Sequence, residues 1–178
     1  MQGLNDAVFR RLKDAIRSVD GVKFPVGRSF AKVDAKDVAL LSQYRWRKQG
    51  RYAATRLPDG SLLLMHRLLL SPPGDMLVDH IDGDGLNNCR HNLRVCTNSE
   101  NMKNRKSSGG VSRFKGVWRD GDRWRATIRV NGKKICLGTH PTEERAARRY
   151  DAAARRWHGE FAKTNRDLGL FYRGAHSA

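Results

Sequence analysis

Acidic side chains are scarce in this sequence, cysteines are few, and no apolar run is long. The chain of 178 residues carries 18 Asp and Glu against 35 Lys and Arg, a formal net charge of +17. An imbalance of that size points to a polyanionic partner, nucleic acid before a membrane surface. A membrane-spanning helix needs ~20 consecutive apolar residues, and no stretch approaches that length. The three cysteines, Cys89, Cys96 and Cys136, include no CxxC pair, which argues against a disulfide framework and suits a reducing cytoplasm. A zinc site from Cys89, His91 and Cys96 lacks a fourth ligand and follows no standard spacing, so small buried or surface thiols are the expectation. Hydrophobic residues make up 39% of the chain. That is enough for compact cores but not for one large core, so modules are expected.

The sharpest break in composition is the flexible stretch KSSGG, Lys106 to Gly110, which reads as a linker. Residues 103–156 hold sixteen basic and five acidic side chains, so about two thirds of the net charge sits in under a third of the chain. At the N-terminus Leu4, Val8, Leu12, Ile16 and Val19 recur at helical spacing with charges between them, predicting an amphipathic helix rather than the apolar core of a signal peptide. Before the linker, YRWRKQGRYAATRLPDGSLLLMH alternates around a Pro-Asp-Gly turn and predicts a hairpin or meander. HRLLL followed by SPPG predicts a brief helix ended by prolines. After the linker, WRATIRV and KKICLGTH flank Asn-Gly, the signature of a type I′ hairpin, and FKGVW supplies a third strand across RDGD. Pro141 and Thr142 then open a helix with Glu143 and Glu144 in its first turn and Gly159 at its end. Ala146, Tyr150, Ala153, Ala154 and Trp157 share its inner face. Trp124, Ala126 and Ile128 are expected to pack on this helix, with Arg125, Thr127 and Arg129 pointing outward.

The residues with reactive chemistry cluster between Val78 and Lys106, in VDHIDGDGLNNCRHNLRVCTNSENMKNRK. Breaking a phosphodiester requires a base to activate water and a divalent ion, held by hard ligands, to offset charge on the phosphate. Asp79 offers a hard oxygen, and the adjacent imidazole of His80 titrates near neutrality by default. Neighbours on a strand face opposite ways, so both reach one site only where the strand ends or bends, which IDGDGLNN permits. Asn92, on the following strand, is placed to fix the imidazole tautomer. Thr97 and Glu100 form a capping box that starts a two-turn helix carrying Asn101. Asp82, Asp84, Asn87 and Asn88 read as loop formers. His66 and Arg67 are either near the scissile phosphate or, for His66, packed in the core; Lys103 and Asn104 either touch phosphate or lie on an exposed helix face.

These segments, with VDAKDVALLSQYRWR and MHRLLL upstream, resemble the HNH endonuclease family of ββα-metal fold, in the form common among phage homing endonucleases. The resemblance covers roughly residues 29–106. It implies His80 as general base, Asn92 as its orienting partner, and Asp79 with Asn101 as ligands of a divalent ion, magnesium by expectation. Asn101 stands where the motif's third letter is His, a variant within the family.

SRFKGVWRDGDRWRATIRVNGKKICLGTHPTEERAARRYDAAARRWHGEFAKTN resembles the Apetala-two (ethylene-response-factor) DNA-binding domain over about residues 112–165. The likeness rests on GVW, LGT, the spaced T-EE-AA-YD-AA pattern and the final Asn. It implies a three-stranded sheet lying in the major groove, with Lys115, Trp118, Arg119, Arg125, Thr127, Arg129 and Lys134 as the contacts. Lys115 and Trp118 stand where Arg is usual. A β-ribbon fits that groove and Arg suits bidentate contact with guanine.

The sequence therefore predicts an α+β chain: an N-terminal HNH ββα-metal nuclease module plus a small C-terminal three-stranded antiparallel sheet packed on one helix. The expected boundaries are a helical extension over 1–28, the nuclease over 29–106, a linker at 107–111, the second module over 112–165 and a tail over 166–178. The expected activity is magnesium-dependent hydrolysis of double-stranded DNA by a homing-like enzyme. One site per chain implies nicking unless two copies act together. The expected state is a monomer or weak dimer in the cytoplasm, that of a bacterial host if the chain is phage-encoded. The alternative is a DNA-binding transcription regulator whose nuclease half is an inert scaffold.

Overall fold

A computed structural model describes residues 21–104 and 111–172. The helix expected over 1–20 and most of the expected linker lie outside the described residues. The chain is mixed α+β, with several small antiparallel sheets and few helices, and divides into two compact units between Asn98 and Ser99.

In the first unit, β1 (Val22–Val26) and β2 (Ser29–Val33) form a hairpin. Residues 21–28 were expected to close a helical extension, but Val22, Phe24 and Val26 alternate with exposed residues and are buried, a period of two that suits a strand. A 3-10 turn (Ala35–Asp37) leads into the one-turn helix α1 (Val38–Leu41). The predicted meander is present as β3 (Arg47–Gln49), β4 (Tyr52–Arg56) and β5 (Leu62–Leu64), and runs into α2 (Met65–Leu70). β6 (Leu77–His80) pairs with β7 (Leu93–Cys96) across a loop that ends in a 3-10 turn at Arg90–Asn92. One core joins Val22, Phe24, Val26, Ala31, Val33, Leu41, Trp46, Met65, Leu69, Val78 and Leu93. Arg90 fastens the 3-10 turn to it. Its guanidinium donates to both carboxylate oxygens of the buried Asp37 and to the Leu69 carbonyl, in the C-terminal turn of α2.

Helix α3 (Asn98–Lys103) begins where the Thr-x-x-Glu pattern places it. The unit boundary falls at its start rather than at the expected linker, and within the second unit the Lys115 ammonium donates to the Lys103 carbonyl at 2.7 Å.

The second unit is the predicted sheet, β8 (Val117–Asp120), β9 (Arg123–Val130) and β10 (Lys133–His140), covered by α4 (Glu143–His158). Asn131 and Gly132 take the positive φ values, 48° and 77°, that a type I′ turn demands. The Thr142 hydroxyl caps α4 by accepting from Arg145 N. Ala126, Ile128, Ala146, Ala147, Tyr150, Ala153 and Ala154 are buried between helix and sheet, while Trp157, expected among them, is exposed. At Gly116 a Cβ would collide with the Tyr150 ring, so the chain enters β8 flush against the helix. Part of the expected tail also belongs to this core, since Phe171 packs on Phe114 with ring centroids 5.0 Å apart.

A buried polar clamp closes the unit. Asp151 accepts from the backbone and side-chain amides of Asn165 at 2.7 and 2.8 Å and from Arg166 N, while Asn165 Oδ1 accepts from Lys115 N at 2.6 Å. Removing one partner leaves the other buried and unsatisfied. Asp151→Ala and Asn165→Ala should each lower the unfolding free energy by about 1–3 kcal/mol, measured in urea, whereas an unchanged midpoint would show that the clamp contributes nothing.

Candidate active site and sheet face

The strand β6 ends on the two residues of interest, and both are buried. Asp79 lies opposite Arg94 and His80 opposite Leu93. The Arg94 Nε and Nη2 both donate to Asp79 Oδ2, at 3.0 and 2.7 Å, which fixes the carboxylate rotamer. The His80 ring meets Tyr52, nearly parallel at 5.7 Å between centroids, and His66, edge-on at 4.9 Å. Tyr52 and His66 also touch each other at 5.1 Å. Gly85 brings the loop onto Tyr52: a Cβ there would strike the Arg51 carbonyl and the Tyr52 ring, so only glycine lets the loop backbone approach so closely.

This surrounding sets the proton affinity of His80. Burial pushes its pKa below the ordinary imidazole value, outweighing the contact with Asn88 and the charges of Asp82, Asp79 and Asp84, all of which act to raise it. His66 is pushed much further, to about 3, by burial and then by the neighbouring His80 and Arg67. Its Nδ1 is buried without a hydrogen-bond partner. Two neutral imidazoles thus stand side by side at neutral pH. His66 is buried and packs against the candidate base itself.

The asparagines divide their work differently from expectation. Asn88 Oδ1 lies 3.5 Å from His80 Nε2, at the long limit of a hydrogen bond, and Asn88 is wholly buried. Asn92, expected to orient the imidazole, instead stitches the loop: its amide donates to Asp82 Oδ1 at 3.0 Å and the Asn87 carbonyl at 2.8 Å, and its oxygen accepts from Asp82 N. Asp82 and Asp84 cap the same loop, as the sequence suggested, by accepting from Asp84 N and Leu86 N. The loop is also hung on β2, with Lys32 N donating to the Leu86 carbonyl and Asn88 N to the Lys32 carbonyl. Nothing in the spacing of Asn87-Asn88 marks one of the pair as the contact to His80; only the loop's path does. Asn101, the other expected metal ligand, is half-buried on α3 in the second unit.

In the second unit, cross-strand register sorts the expected contacts by face. Trp118 pairs with Arg125, Lys134 with Arg129 and Cys136 with Thr127, so Trp118, Arg125, Thr127, Arg129 and Lys134 share the side away from α4. Arg119 pairs with Trp124 and sets its guanidinium 5.1 Å from that ring, on the other face. Lys115 precedes the sheet and turns inward to Lys103; burial pushes its ammonium down to about 8. Both therefore depart from the expected outer row. Thr127 is buried although it faces outward, because Trp118 lies over it and donates its indole N–H to the hydroxyl at 3.0 Å. Trp118 itself is 51% exposed, with the Lys134 ammonium 5.4 Å from its ring. Arg125 is held by Asp120 at 2.7 Å.

A family model described as HNH endonuclease matches residues 71–103, from the end of α2 through β6, the loop, β7 and α3. An uncharacterized HNH endonuclease of Acanthamoeba polyphaga mimivirus is 32% identical over 145 residues, covering 78% of this chain and 75% of that protein. Protein 3.8 of Escherichia phage T7 is 36% identical over 96 residues, 51% of this chain and 77% of its own length. An ethylene-responsive transcription factor of Arabidopsis thaliana is 48% identical over 74 residues, 38% of this chain but only 17% of that protein. The chain belongs to the HNH endonuclease family, and it joins an HNH module to one of AP2/ERF type.

The buried His66 has a consequence for stability. Its folded pKa of about 3 lies below the ordinary 6.5, so the unfolded chain takes up a proton that the folded chain refuses throughout that interval. The stabilisation is complete above pH 6.5 and declines as the pH falls towards 3. His66→Phe should make the pH dependence of the unfolding free energy shallower in this window by up to about 1.4 kcal/mol per pH unit. Identical slopes in the two proteins would contradict the burial of a neutral His66.

Proposed function

We propose that the protein is a magnesium-dependent endonuclease that hydrolyses a phosphodiester of duplex DNA, with His80 as the general base. The observation that supports this most directly is the state of His80: a buried, neutral imidazole at the end of β6, next to the Asp79 carboxylate, in an HNH endonuclease. A neutral imidazole takes a proton from water, and a depressed pKa keeps it in that form at neutral pH. Asp79 and Asn101 are the proposed magnesium ligands; a carboxylate and a carboxamide are hard oxygen donors of the type that ion prefers. When bound, the ion supplies positive charge against the phosphate as the attack proceeds. Asn88, at the imidazole nitrogen, orients the base, and Asn92 acts on it only through the loop. His66 and Tyr52 pack against the ring and so help to keep it in the neutral form, with a ring nitrogen left to meet the water.

In this reading the face carrying Trp118, Arg125, Thr127, Arg129 and Lys134 holds the duplex, Trp118 as an apolar platform and the arginines as partners of phosphate or guanine. One base per chain favours a nick in one strand. A second reading, a DNA-binding regulator with an inert nuclease half, draws support from the Arg94 guanidinium that already pairs with Asp79. Supercoiled plasmid separates the two. With magnesium, the wild type should relax the plasmid and His80→Ala should be slower by about 100- to 10,000-fold. Binding without metal-dependent cleavage would select the regulator, and equal rates for both proteins would remove His80 from the mechanism. Arg125→Ala with Arg129→Ala should weaken duplex binding and lower the slope of log affinity against log salt by about 0.9 for each phosphate that the arginines no longer neutralise; an unchanged slope would take the sheet face out of the interface.

A further inference from the structure

The first unit gathers a second set of donors away from the Asp79 and His80 pair. The Cys89 sulfur, a ring nitrogen of His91 and a carboxylate oxygen of Asp34 lie within 4.8 Å of one another. Asp34 follows β2, whereas Cys89 and His91 bracket Arg90 at the entrance to the 3-10 turn, so distant stretches of chain have been brought to one point. The arrangement is held by backbone. Arg90 N donates to Asp34 Oδ2 at 2.8 Å across 56 residues of sequence, and Asn92 N donates to the Cys89 carbonyl at 2.9 Å. Cys89 is wholly buried, and the backbone at Gly21 comes so close that a Cβ there would lie 2.5 Å from the sulfur. His91 is exposed, which opens the cluster to solvent on one side.

We propose that Asp34, Cys89 and His91 form a binding site for a borderline-soft divalent cation, zinc in the first instance, with water as the fourth ligand. A tetrahedral zinc ion holds its ligand atoms about 3.5 Å apart, so the present spread needs only a small contraction. The donor set selects for identity. Thiolate and imidazole favour zinc or cobalt over magnesium, which takes oxygen, so this site does not compete for the ion proposed at Asp79. Cys96, the other cysteine considered with His91 from sequence alone, is not part of the group; it lies in β7 opposite Leu77. Binding releases the Cys89 thiol proton to solvent, and the ion ties the end of β2 to the turn that presents Asn92. It is a structural clip behind the active-site loop, and it stands whether or not the chain cleaves DNA.

Cobalt is the optical probe. The full chain, stripped with a chelator, should develop a thiolate-to-cobalt charge-transfer band that saturates at one equivalent and is displaced by zinc but not by magnesium. His91→Ala and Asp34→Asn alter half-buried or exposed positions and leave the core in place. Each should weaken cobalt binding by at least about tenfold, while Cys136→Ser leaves the band intact. The proposal is overturned if the wild type gives no band, if the band disappears with Cys136, or if His91→Ala and Asp34→Asn bind as tightly as the wild type. Because the readout is spectroscopic, such a failure would leave the nuclease reading untouched.

Discussion

Withdrawal of water from one imidazole is the constraint on which the first module turns. Three carboxylates lie near enough to His80 to favour its protonation, and in water they would prevail. They do not, because Tyr52 and His66 pack against the ring. The cost of charging a buried group exceeds what the neighbouring carboxylates return. Everything around the ring serves that enclosure. The meander delivers Tyr52, α2 delivers His66, and the loop delivers Asn88. The loop keeps its path because Asn92 and Asp82 satisfy its backbone and because it adds to the edge of β2.

The second module solves a different problem, that of keeping a basic face outward without losing its strands to mutual repulsion. Its sheet buries one side under α4 through small residues, Ala126 against Ala146 and Ala147, which allow close approach of helix and strand. On the open side the charges are spaced and partly answered. Asp120 holds Arg125, and Trp118 spreads over Thr127 beside Lys134. Exposed pairs of this kind add little to stability, so their effect is to fix side-chain direction. The Asp151 and Asn165 clamp carries the stability instead, because its polar groups are buried and each depends on the other.

Much of this was legible in the sequence where a local rule dictates geometry. Asn131-Gly132 permits positive φ, and Thr142 caps a helix. What the sequence concealed was set by register or by long-range packing. Arg119 and Trp118 are adjacent and equally suited to DNA, and only the pairing with Trp124 or Arg125 decides which faces out. The strand at Val22–Val26 is short, with Lys and Pro between its apolar residues, and it follows a strong helical pattern. Asn88 and Asn92 are chemically identical; which of them meets the imidazole depends on a hydrogen bond between residue 88 and Lys32 far upstream. Lys115 looks like any surface lysine until the carbonyl of Lys103 is placed beside it.

The pairing of Asp79 with Arg94 looks at first like an obstacle to a metal site. Electrostatics argues otherwise. A divalent ion at equal distance attracts the carboxylate twice as strongly as a guanidinium does. The pair answers the charge of a buried carboxylate, which unpaired would cost several kcal/mol by order of magnitude. A positively charged partner for Asp79 is therefore compatible with the magnesium site proposed there.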